Sequence, residues 1–259
     1  MVELDKSTNQ STQVAFLLIE KMVEIGEPVG LSELARRIGM PRARTHRFLR
    51  TLASMDYVTQ DPETERYRLT LKLYHIGQAI SDRTGLLTEA RPLMTILRNE
   101  LQTTVTLSLL EETGMRVLDI VRAESPVQIV TRPGSLLDFH SSAQGKVALA
   151  FGPETLWDIV RAKPLQAWTE NTNTDLSALE SEVKLTCKRG WADAPDQTLM
   201  GVNAVSAPIF DLTNQMQATV TVAGPNTMIG SPPKSQLVDR VVAAARSISR
   251  NLGNTEYPA

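Results

Sequence analysis

Up to Leu101 the apolar positions of the chain mostly recur at helical spacing, and beyond it strand-like and helical runs alternate. Val14, Leu17, Leu18, Met22 and Ile25 predict a first helix, ended by Gly26 and Pro28. Leu31, Leu34, Ala35 and Ile38 predict a second, with Ser32 expected to cap its start. Gly39 then supplies a residue tolerant of positive φ, Met40 a plug for the corner, and Pro41 a first-turn residue for a third helix that carries Phe48, Leu49 and Leu52 toward the core. Two short β-prone runs, YVTQ and YRL, flank DPETER between Ser54 and Leu69 and predict a hairpin. From Thr70 to Ile80 apolar residues lie on more than one side of a predicted helix, so it should pack against a dimer mate or the following domain. A further helix follows from Thr88 to Leu101, with Pro92 in its first turn.

In the remainder, TVTLSLLE and MRVLDIVRA flank Glu112-Thr113-Gly114 as a hairpin, and VQIVT predicts another short strand. Helices are expected over Ser141 to Phe151, Pro153 to Arg161, Leu176 to Arg189 and Leu237 to Leu252, with AVSAPIFD and MQATVTVAG as two more strands. The pattern predicts an α+β protein: a winged helix-turn-helix over 8–70, a linker helix over 71–87, and a second domain over 88–252 with a mainly antiparallel sheet flanked by helices.

Charge sharpens the reading of the first domain. The formal net charge of −2 by itself argues against a polyanionic partner. Yet Leu31 to Leu52 holds Arg36, Arg37, Arg42, Arg44, Arg47 and Arg50 against one acid, Glu33. Arg42, Arg44, His46, Arg47 and Arg50 crowd the first turns and outer face of the third helix, the part that enters the major groove in such motifs, where guanidinium forks pair with guanine edges or phosphates. Thr45 is expected to support them, and Arg66 and Arg68 of the hairpin to reach phosphate. The partner expected is double-stranded DNA.

Chemistry of other kinds finds little purchase. Cys187 is the single cysteine, so no internal disulfide forms, and a reducing, cytoplasmic location is expected. No apolar run approaches a membrane span, and the N-terminus lacks a signal-peptide core. His46, His75 and His140 are scattered, so neither a metal nor another cofactor is expected. Gly145-Lys146 lacks the flanking residues of a phosphate loop, and no nucleophile elbow or dinucleotide-binding glycine pattern is present. Asp193 and Asp196 form an acid pair more simply explained as solvated or capping groups. Enzymatic activity has no positive support; the rival reading is a second domain that turns over a metabolite.

The order of these features resembles the IclR family of bacterial transcriptional regulators. LSELARRIGMPRARTHRFLRTL and YVTQDPETERYRL are similar to that family's reading head and wing, and HSSAQGKVALA, RGWADAPDQTLMGVNAVSAPIFD and VTVAGP to its second-domain signatures, from about Val14 to Asn251. The resemblance implies an effector-binding second domain, assembly as a homodimer or homotetramer, and operator binding, with repression as the expected sign. Arg44-Thr45 replaces the family's usual Thr-aliphatic pair, and Asp196-Gln197 its two glutamates. By position, the resemblance implies an effector site at Ala194, Ala204, Thr221 and Ala223, beside a backbone cradle at Ala143 and Gln144, with Asp196 near it. Polar groups or cysteine stand at the first four positions in relatives that bind small carboxylates; three are alanine here. Alanine brings no donor and leaves apolar volume, so the expected effector is hydrophobic or aromatic, with Phe139 as a stacking wall. The competing expectation is that these alanines merely fill core.

Overall fold

In the computed structural model, residues 9–77, 85–124 and 131–257 are described. The chain divides into two compact units, Met1–Arg83 and Thr84–Ala259.

In the first unit α1 (Gln10–Ile25) is capped by Asn9, whose side chain accepts from the Ser11 and Thr12 amides. The helix α2 (Leu31–Ile38) begins at Gly30 with no side-chain cap; Ser32 lies inside the helix, so its expected capping role falls away. Gly39 is left-handed at φ 70° and turns the chain toward α3 (Arg42–Ser54), which Pro41 enters. A side chain at that φ would be strained, which is what Gly39 avoids. Strands β1 (Val58–Gln60) and β2 (Tyr67–Leu69) pair antiparallel in the register Val58↔Leu69, and Val29 bridges to Tyr67 beside them. Val14, Leu18, Met22, Leu34, Leu49 and Leu52 meet Val58 and Tyr67 in one core, with Met40 packed at its edge as the corner plug. A helical segment, α4, is described over 72–77; the rest of the expected linker helix, through residue 84, lies outside the described residues.

The second unit opens with α5 (Leu86–Leu101), which starts two residues earlier than expected and so places Pro92 inside the helix rather than in its first turn. Its six-stranded antiparallel sheet runs in the order β5-β4-β3-β8-β7-β6, with β3 Thr104–Glu111, β4 Gly114–Val121, β5 Leu136–Leu137, β6 Ala192–Asp193, β7 Val202–Phe210 and β8 Met216–Pro225. The predicted strand VQIVT falls on residues 127–131, of which only Thr131 is described. Because side chains alternate along a strand, each central strand has two characters. Val105, Leu107, Val205, Ala207, Val220 and Val222 pack against α5 and the closing helix α10 (Ser235–Asn251). Thr106, Ser108, Ala204, Ser206, Thr219, Thr221 and Ala223 point the other way, to the side where α6 (Ala143–Phe151) lies on β7 and β8. Behind α6, α7 (Leu156–Arg161) and α8 (Leu176–Arg189) close a second core around Met115, Phe139, Val147, Leu179 and Phe210. A short α9 (Asn226–Ile229) follows β8. Among the described residues no helix is long and apolar enough to cross a membrane.

Candidate functional site

On α3 the burial pattern separates core from reading face. Arg42, Arg44, His46, Arg47 and Arg50 are exposed, and none of these arginines takes part in an ion pair among the described residues. Arg37, by contrast, is held by Glu33 at 2.7 Å, and that bond keeps the Glu33 carboxyl below its ordinary value. The Arg42, Arg44, Arg47 and Arg50 guanidiniums are therefore unpaired cations on one short helix whose entry angle Gly39 and Pro41 fix. Thr45 does not join them. It is wholly buried, and its hydroxyl donates to the Pro41 carbonyl at 3.2 Å, so it pins the first turn of α3 instead of meeting DNA. On the hairpin Arg68 is exposed, while Arg66 donates to the Pro28 carbonyl at 3.0 Å and ties the wing to the α1–α2 connection. Asp61 shapes the wing's turn by accepting from the Glu63 and Thr64 amides.

In the second unit a cavity of about 590 Å³ opens between the outer face of the sheet and the N-terminus of α6. Ala143, Gln144, Ala194, Ala204, Thr221 and Ala223 all line it, so these sequence-predicted residues come together in one wall. Leu137, Leu199, Met200, Val202 and Pro225 add apolar surface, and Thr106, Ser142 and Thr198 add hydroxyls that sequence reading missed. Thr106 was within reach of the strand pattern: it sits between buried Val105 and Leu107, on the opposite face. No described lining residue is ionisable. Ser142 caps α6 by accepting from the Gly145 amide, while the Ala143 and Gln144 amides, at the positive end of the helix, have no partner among the described residues, and both residues line this space.

Two predicted residues stand elsewhere. Phe139 is buried in the second core with Val147 and Phe210 and does not line the cavity; packing behind α6 has taken the ring that was expected as a stacking wall. Asp196 is also absent from the wall. Its carboxylate accepts from the Gly201 amide at 2.6 Å and from Asn226 at 2.7 Å, which closes the loop carrying Leu199 and Met200. A shallower groove of about 420 Å³ beside Trp157 and Cys187 has Arg161 already paired with Glu180, so it offers little to a ligand. Among the described residues no group of His, Cys, Asp and Glu could hold a metal ion.

The profile for the bacterial transcriptional regulator IclR C-terminal domain matches residues 78–250, and that for the IclR helix-turn-helix domain matches 11–62. The chain belongs to the IclR family. It is thus a helix-turn-helix transcriptional regulator with an effector-binding C-terminal domain, and the metabolite-processing alternative is not supported, because its curated IclR-family relatives are regulators. The regulator BhcR of Paracoccus denitrificans is 29% identical over 88% of this chain and 82% of its own. The transcriptional repressor IclR of Escherichia coli is 26% identical over 94% and 90%. The crystal structure of the Thermotoga maritima IclR superposes with a TM-score of 0.80 at 27% identity, covering 94% of this chain and 98% of that one. An IclR homologue of Microbacterium hydrocarbonoxydans complexed with 4-hydroxybenzoate shares the fold, with a TM-score of 0.80 at 21% identity over 92% and 98%.

Proposed function

We propose that this IclR-family regulator is a repressor that binds a pseudo-palindromic operator as a homodimer or homotetramer, and that its effector is a small, largely apolar or aromatic molecule with one acidic group. The observation that carries the effector class is the cavity wall: apolar, free of ionisable side chains, and bordered by unpaired amides at the start of α6. Such amides suit one carboxylate, whereas a second charge would meet no counter-charge and would be stranded in an apolar wall. The volume suits a molecule of one or two rings. The 4-hydroxybenzoate held by the Microbacterium homologue has this chemistry. Symmetric assembly would place two α3 helices on half-sites one helical turn or a multiple apart. The effector can shift operator occupancy only by as much as its affinity differs between the DNA-bound and free arrangements.

Selection of random duplex DNA on the purified protein near physiological salt tests the operator reading, because phosphate attraction alone enriches no sequence. A two-fold symmetric motif is expected. Repeating the binding with that motif and a panel of aromatic and aliphatic monoacids tests the effector reading. If only short polar acids such as glyoxylate bind, the aromatic class is wrong.

A further inference from the structure

The polar side chains of the cavity wall differ in what they already do. Thr221 donates to Ser206 at 2.8 Å, and Thr198 donates to the Ser141 carbonyl at 2.8 Å. Ser142 donates to the Asp138 carbonyl and accepts from Gly145. Three make no such bond, half-buried Thr131 and the two buried ones, Gln144 and Thr106. Gln144 is 4% exposed and Thr106 5%, yet neither side chain makes a hydrogen bond among the described residues, although both border the cavity. They stand on different elements, Gln144 on α6 and Thr106 on β3. Unlike the Ser108 and Thr219 hydroxyls, which are sealed and unpartnered, their polar atoms stay open to the cavity, where a group that enters can partner them.

We infer that Gln144 and Thr106 are specificity-determining residues that read a neutral hydrogen-bonding group, a hydroxyl or carbonyl, on the effector. This rests on the proposal above that the cavity takes an apolar monoacid, and adds what distinguishes one such acid from another. A carboxamide and a hydroxyl can each donate and accept, so a hydroxyl on the ligand satisfies either. Neither carries charge, so a second carboxylate gains no counter-ion from them. A methyl group of similar size would fill the same space and leave both side chains unpartnered, and a site built to hydrogen-bond a hydroxyl discriminates strongly against an analogue that lacks it.

The test is calorimetric titration of the full-length protein with 4-hydroxybenzoate, 4-methylbenzoate and terephthalate. The wild type should favour the hydroxy acid over the methyl acid by roughly tenfold or more, and over terephthalate by at least as much. In Gln144→Met, which keeps side-chain length and the backbone amide, the ratio of hydroxy to methyl acid should fall toward one, because the hydroxy acid is lost while the methyl acid is held. Thr106→Val, on the facing strand, should move the ratio in the same direction, and serves if Gln144→Met fails to fold. A merely structural role would weaken both acids together. An unchanged ratio in the folded variants, or equal binding of the first two acids by the wild type, would overturn the inference while leaving the monoacid reading of the cavity intact; preference for terephthalate would overturn both. Absence of binding by all three acids, with short polar acids bound instead, would overturn the apolar-effector reading and this inference with it.

Discussion

Lys146, only 2% exposed on α6, holds its ammonium 2.5 Å from the Glu182 carboxylate of α8. The same group donates to the backbone carbonyl of Asp193 at 3.1 Å, so one cation ties α6, α8 and β6 together. Burial pulls the Lys146 ammonium below its ordinary value; Glu182 and Asp193 oppose that pull, and Arg189 adds to it. A base depressed in the folded state binds fewer protons folded than unfolded in the window just below 10.5, so stability should rise with pH through that window. Urea unfolding of the wild type and Lys146→Met at about pH 8 and about pH 10 isolates the group, and the wild type should gain on the variant at the higher pH. A difference that stays constant would mean that Lys146 titrates as an ordinary lysine. Near neutral pH the variant should lose no more than about 3 kcal/mol, because Glu182 is 36% exposed and keeps access to water.

Neighbouring positions on α3 should separate DNA binding from folding. Arg47→Ala, which removes an exposed and unpaired guanidinium, should weaken binding to the selected operator by roughly 1–3 kcal/mol if it reads a base, with Tm unchanged. Thr45→Val should do the reverse, losing about 1 kcal/mol of stability with its bond to Pro41 and leaving operator affinity nearly intact. Fluorescence anisotropy on the operator, read beside thermal melts, checks both. Equal operator affinity in Arg47→Ala and wild type would remove Arg47 from the interface.

Gly145 lies where a side chain has no room. A Cβ there would fall 2.3 Å from the Asp138 carbonyl oxygen and 2.5 Å from the Phe139 Cα, both backbone atoms that cannot swing aside. Gly145→Ala should therefore destabilise the protein by about 3 kcal/mol or more and displace the start of α6, blunting effector binding as well. Denaturant titration should show the lower midpoint; a variant as stable as wild type would contradict this packing.

Asp196 should hold the loop that borders the cavity. Asp196→Ala removes the acceptor of the Gly201 amide and of Asn226, and places alanine at a φ of 58°. We expect a loss of about 1–3 kcal/mol and faster proteolysis within 196–201, the loop that carries Leu199 and Met200 to the cavity. Asp196→Asn keeps an oxygen acceptor and tolerates that φ, and should be milder. If limited proteolysis finds the alanine variant as resistant as wild type, the carboxylate does not hold the loop.

Local signals make much of this legible in the sequence alone. Leu176 to Arg189 is bounded by Asp175 and Gly190, a side-chain cap and a left-handed stop, and the helix occupies that span. Thr104 to Glu111 likewise becomes β3 as its β-branched run suggests. The misreadings arose where long-range packing decides. Asp196 and Phe139 lie close in sequence to the cavity-lining residues, yet each is claimed by a partner that no local pattern reveals, Asn226 in one case and the core behind α6 in the other. Thr45 is different: with Phe48, Leu49 and Leu52 it falls on a single helical stripe, so its burial was written in the spacing and was obscured by the arginines on either side. The alanines at 194, 204 and 223 admitted either core or cavity, and only the volume beside them identifies them as wall.

The alternation of β8 has an evolutionary corollary. Val220 and Val222 belong to the hydrocarbon interior, whereas Thr221 and Ala223 border the cavity, and β7 repeats the division with Val205 and Ala204. The packed interior and the cavity wall are thus carried by residues of opposite parity on the same strands. A lineage that drifts at these alternate codons would alter the cavity while leaving the packed face of the sheet as it is.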